Sequence, residues 1–146
     1  MKRFAFPLET ALKVRKLEAE VCEAKLLRLE RDRAQCRRAI DQLATEARKR
    51  PASISNGELV TAREIEDMER LGPFIKRERA RLTSLEASLL HKIALLSDQL
   101  RQARQKVELL VKLKTKSKEL WQKESDKELQ TLAEESFNHQ FQSRQE

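Results

Sequence analysis

Few side chains in this sequence have a chemistry of their own, and none is spaced to use it. His91 and His139 are the two histidines. Neither stands at a metal-ligand spacing from Cys, Asp or Glu, and a zinc site needs three or four convergent ligands. Both therefore read as surface residues, and no metal is expected. Cys22 and Cys36, if carried on one helix, would lie about 21 Å apart at a rise of 1.5 Å per residue, beyond the reach of a disulfide. They read as reduced core residues, which fits a reducing cytoplasm. Two glycines cannot build a phosphate-cradling loop, and a rod of two helices has no concave pocket to shield a reaction. No catalytic residue and no cofactor are expected. The chain reads as a non-enzyme that works by binding.

What chemistry remains is that of a surface, near the C-terminal end. Lys112, Lys114, Lys116 and Lys118 alternate through Val-Lys-Leu-Lys-Thr-Lys-Ser-Lys with no acid among them. On a helix, steps of two residues turn about 200°, so these lysines ring the rod rather than stripe it. A solvated basic turn is the alternative. Trp121 is the only tryptophan, and Leu113 and Leu120 lie beside it, one heptad apart. An exposed tryptophan among leucines suits an interface anchor; the competing reading packs these side chains on the N-terminal arm. From Glu119 onward there are seven acids against three lysines and arginines, so the charge changes sign along this end. The net charge of +7 admits an acidic partner, whether nucleic acid, anionic membrane or an acidic protein face, and identifies none of them.

The elements that position these residues are helical. Charged residues make up 38% of the chain, and there is no tyrosine; such a composition belongs to long amphipathic helices with narrow aliphatic seams. A first helix is predicted over about 7–50. Pro7 suits its first position and Glu9 its positive end. Alternating steps of four and three residues visit Leu8, Leu12, Arg15, Ala19, Cys22, Leu26, Leu29, Arg33, Cys36, Ile40, Leu43 and Ala47. All but the two arginines are apolar, as in a coiled-coil seam. Pro51 disfavours helix at Arg50, so 51–57 reads as the turn. Ser55 and Glu58 have capping-box spacing, which starts the second helix near Gly57.

The second helix is predicted over about 57–137, bent at Gly72-Pro73 but continuous, because the heptad phase agrees on both sides. Its seam takes in Ile65, Met68, Ile75, Leu82, Leu89, Ile93, Leu96, Leu100, Val107 and Leu110. Arg15, Arg33, Arg79 and Glu86 would sit in the two seams as register devices. A short turn makes long helices antiparallel neighbours. With the tip near Ile54, Leu8 falls level with Leu100, Leu29 near Arg79, and Phe4 and Phe6 over Val107 and Leu110. Residues from about Val111 to Phe137 are then unpartnered, an overhang of about 40 Å, and 138–146 reads as a flexible tail. The expected fold is all-α: a single domain, 1–146, forming a long antiparallel two-helix coiled-coil hairpin with an overhanging C-terminal helix. The N-terminus starts basic, as a signal peptide does, but Pro7, Glu9 and Lys13 interrupt any apolar region. No stretch approaches the ~20 apolar residues of a membrane span, so a soluble chain without a transmembrane segment is expected.

The start, Phe4-x-Phe6-Pro7-Leu8-Glu9-x-x-Leu12-x-x-Arg15, resembles the N-terminal signature of FliJ, the small coiled-coil protein of the flagellar type III export apparatus. The basic run after Val107-Glu108, followed by Lys127-Glu128-Leu129-x-x-Leu132-Ala133, is similar to that family's C-terminal region. The family has an Asp-Glu pair where Gln130 and Thr131 stand. The resemblance implies a stalk-like protein of the cytoplasm, peripheral to the inner membrane at the flagellar base. It implies partners as well: the flagellar export ATPase ring, an export-gate membrane protein and substrate chaperones. The ATPase contact would fall on Lys112, Leu113, Lys114, Lys116, Lys118, Leu120 and Trp121, and the gate contact on Leu43, Ala47, Met68 and Leu71. A basic helical rod binding nucleic acid, or a coiled-coil scaffold of another secretion system, is the alternative; no nucleic acid is expected, since no recognition-helix arrangement supports it.

Overall fold

The computed structural model describes residues 2–55 and 61–145, with side-chain surroundings for 2–49 and 61–145. The described residues form two long helices that pack against each other, α1 (Glu9–Ser55) and α2 (Ala62–Gln142). The chain divides into two compact units. A terminal unit comprises Met1–Ala19 with Arg101–Glu146, and a middle unit comprises Glu20–Leu100.

The helix ends differ from those read in the sequence. Pro7 and Leu8 form a turn, and the Leu12 amide donates to the Leu8 carbonyl at 2.9 Å, which opens α1 at Glu9. At its other end α1 continues past Pro51 to Ser55. A proline removes one intrahelical hydrogen bond and crowds the preceding turn, but it does not forbid helix on either side. Of the expected turn 51–57, residues 51–55 are thus helical, while 56 and 57 lie outside the described residues. So does Glu58, and with it the expected capping box. A reciprocal box forms instead at Thr61: its amide donates to Glu64 Oε2 at 3.0 Å, and the Glu64 amide donates to Thr61 Oγ1 at 3.3 Å. Two orphan donors are satisfied, and α2 starts at Ala62. It runs through Gly72 and Pro73 without interruption, and through the expected tail as far as Gln142, beyond which Ser143 N still donates to His139 O at 3.1 Å.

The core of the middle unit is narrow. Cys36, Ile40, Leu82 and Leu89 are buried, with Leu29, Ala39 and Leu43 packed against them. The Cys36 thiol donates to the Leu82 carbonyl at 3.2 Å. The expected register would have put Cys36 opposite Gly72, and Leu29 near Arg79. The shift accompanies the helix ends, since α1 reaches Ser55 and α2 starts at Ala62, both later in the chain than expected. Along α2 the inward positions are Met68, Leu71, Ile75, Glu78, Leu82, Glu86, Leu89, Ile93, Leu96 and Leu100. Leu71 and Glu78 replace the expected 72 and 79, and Ile65, Arg79 and Arg33 are exposed. Two consecutive four-residue steps, 78 to 82 to 86, cause the change: an α-helix of 3.6 residues per turn drifts off a strict heptad, and one such stutter restores the phase. Glu86 does face inward, its side chain 13% exposed, and Arg37 Nη1 lies 3.6 Å from its carboxylate. Arg33 and Arg79 therefore lie outside the seam, whereas Glu86 lies in it beside a counter-ion.

In the terminal unit Leu12 is 1% exposed and Phe6 is also buried. Leu8, expected to open the seam, is exposed, and Glu9 is half-buried in its stead. On α2 the inward line runs through Ala103, Val107, Leu110, Lys114, Ser117 and Trp121 to buried Ser125. Among the described residues, no helix is long and apolar enough to cross a membrane.

Candidate partner-binding interface

The segment expected to overhang is partly covered, and the N-terminal arm covers it. Phe4 lies against Trp121, ring centroids 5.9 Å apart and planes tilted by 54°. Glu9 Oε2 takes the Lys114 ammonium at 2.8 Å. Lys2, Trp121, Glu124, Ser125 and Glu128 line an open groove of about 380 Å³. The physical reason is the length of non-helical chain. Residues 2–8 are not helical, and an extended residue advances about 3.3 Å against about 1.5 Å for a helical one, so the five steps from Glu9 back to Phe4 span the seven from Lys114 to Trp121. Phe4 therefore meets Trp121, well beyond the expected Val107 and Leu110. The uncovered stretch begins later than expected, for every described residue from Asp126 to Gln145 is exposed.

This arrangement sorts the sequence-predicted contact residues into two groups. Lys114 and Trp121 face the arm and α1. Trp121 is half-buried and already has an aromatic partner, so it is not a free anchor. Lys112 pairs with Glu108 one turn back at 3.2 Å. Leu113 and Leu120 remain outward, and Leu109 joins them, the three being 48%, 61% and 62% exposed. At 100° per residue, Leu109, Leu113, Lys116 and Leu120 fall within one narrow strip, bordered by Lys112 and Lys123. Lys118 points elsewhere. Sequence reading missed Leu109 and Lys123, although the steps 109, 113, 116, 120, 123 carry the signal of a second helical face. The expected gate residues all belong to the middle unit. Leu43 packs on its core, Met68 and Leu71 are half-buried, and only Ala47 is exposed.

Comparison with family models, with curated proteins and with solved structures returns no match.

A pH dependence is expected of the Lys114–Glu9 clasp. The Lys114 hydrogen bond holds the Glu9 carboxyl below its ordinary value of 4.5, against a smaller opposing effect of desolvation. A carboxylate with a depressed folded pKa adds stability that is complete above the ordinary value and lost as pH falls through the depressed one. Acid titration followed by Trp121 fluorescence is expected to show an arm-release step below pH 4.5. Glu9→Gln should remove that step, and an unchanged titration would show that the clasp does not hold the arm.

Proposed function

We propose that this chain is a stalk-like, antiparallel two-helix coiled-coil hairpin of the FliJ type, which binds a flagellar export ATPase ring and links it to the export gate and substrate chaperones. The antiparallel reading is supported inside the terminal unit: from Glu9 back to Phe4, the partner on α2 rises from Lys114 to Trp121. A connection of so few residues between Ser55 and Ala62 favours the same arrangement. The family reading draws on the N-terminal signature and the basic run of the sequence. One observation carries the site: an outward strip of Leu109, Leu113 and Leu120 with Lys116 along its edge. Exposed leucines among lysines suit an apolar contact ringed by acidic groups, which a helix inserted into a ring would meet.

The strip has a direct test. The wild-type chain is expected to co-purify with a flagellar export ATPase. Leu113→Gln with Leu120→Gln should weaken binding about tenfold or more, since truncated anchors cost upward of 1 kcal/mol each. Lys116→Glu with Lys123→Glu should weaken it similarly, with helicity intact because Lys and Glu have close propensities. Lys118→Glu, off the strip, should matter least. A wild-type chain that neither binds nor stimulates the ATPase would defeat the reading.

A further inference from the structure

Past the reach of the arm, α2 still carries the inward line that the arm and α1 occupy further back. Ser117, Trp121 and Ser125 follow one another in four-residue steps, and the line then passes through Leu129, Leu132 and Ser136. Leu129 and Leu132 are 54% and 61% exposed. Ala133 borders this line on one side, and further round the helix Phe137 stacks on Phe141, centroids 6.4 Å apart at 21°. Glu124, Glu128 and Glu135 form a carboxylate row along the other border. We propose that this end of α2 is a docking face for an amphipathic helix of a partner protein, one that presents leucine-like residues flanked by lysine or arginine.

Two observations choose that occupant. The face continues an interface already filled within the terminal unit, where Phe4, Phe6 and Leu12 supply the apolar side. The carboxylate border already stands beside a cation of this chain, because Lys2 of the arm lines the same groove as Glu124 and Glu128. A second copy of the chain presenting the same end is disfavoured by charge: from Glu119 onward seven acids face three lysines and arginines, and two such ends repel. A partner with a basic border gains where a copy would lose. The inference does not need the export reading, since it concerns a different stretch of α2.

The probe is a synthetic helix of about three heptads, with leucine at the core positions and lysine along both borders, plus a twin carrying glutamate instead. Fluorescence anisotropy with the full chain should show binding of the lysine peptide and at least tenfold weaker binding of its twin. Leu129→Gln with Leu132→Gln should weaken the lysine peptide about tenfold without loss of helicity, as leucine and glutamine have similar helix propensities. Glu128→Lys with Glu135→Lys should reverse the preference between the peptides. Equal binding by the twin, or indifference to the leucine pair, would overturn the proposal, the second by exposing mere charge attraction. Sedimentation supplies a further check: a dimer abolished by the leucine pair would make a second copy the occupant and overturn the assignment to a partner.

Discussion

Leu89→Ala is expected to cost about 3 kcal/mol of unfolding free energy, within the range for truncating a buried leucine. Leu89 is 7% exposed and belongs to the cluster of Cys36, Ile40 and Leu82. A pair of packed helices has one thin seam and nothing behind it, so the cavity opens where few neighbours can relax into it. For a chain of this size such a loss lowers Tm by roughly 10 °C. The matched control is Leu95→Ala. Leu95 has the same side chain on the same helix but is 53% exposed, and its truncation should stay within about 0.5 kcal/mol, as surface substitutions do. Thermal or urea unfolding of the two variants tests the seam itself. Equal losses would mean that hydrophobicity along α2, not its inward line, holds the helices together.

How far this fold could be read from the sequence depended on which kind of information each feature needed. The α1 seam was legible because a heptad is a local pattern: Leu12, Cys22, Leu26, Leu29, Cys36 and Ile40 all face inward as spaced. Register was not local. It turned on whether Pro51 ends α1 and on which of two equivalent capping boxes opens α2. Ser55-x-x-Glu58 and Thr61-x-x-Glu64 have the same form, each with apolar residues before the cap and after the box. The difference lies in what would follow the cap. A helix capped by Ser55 would begin with Asn56 and Gly57, both poor helix formers, whereas Thr61 is followed by Ala62 and Arg63. Weighing propensity beside the motif would have favoured the second box.

The contact residues were harder to place for a different reason. Lys112, Lys114, Lys116 and Lys118 look alike in sequence, and what each meets depends on its helix face and on a non-helical arm whose five steps from Glu9 back to Phe4 span seven residues of α2. Lys114 faces Glu9 at the start of α1, and Lys116, about 200° round the helix, points outward. The partner-facing strip was in principle visible as a second periodicity, but a strict heptad count follows one line at a time. The seam also changes phase between Trp121 and Ser125. A count held to 124, 128 and 131 misses that Leu129 and Leu132 continue it.

Trp121→Ala is expected to cost about 2 kcal/mol or more of stability in the free chain, before any partner is added. The ring is half-buried, meets Phe4 at 5.9 Å, and lines a groove together with Lys2. Truncating a large aromatic removes that apolar contact and leaves Phe4 facing water. The decisive measurement is a double-mutant cycle with Phe4→Ala. Aromatic pairs contribute about 0.5–1.5 kcal/mol beyond the area they bury, so the two losses should couple by that much. If Trp121 served only as an anchor for an outside protein, Phe4→Ala would leave its contribution unchanged and the coupling would vanish. Fluorescence reads the same event independently. Phe4→Ala should red-shift the emission of the single tryptophan as the arm lifts and water reaches the indole, whereas Leu113→Gln, on the outward strip, should not. A red shift with Leu113→Gln and none with Phe4→Ala would mean that the arm is not what shelters Trp121.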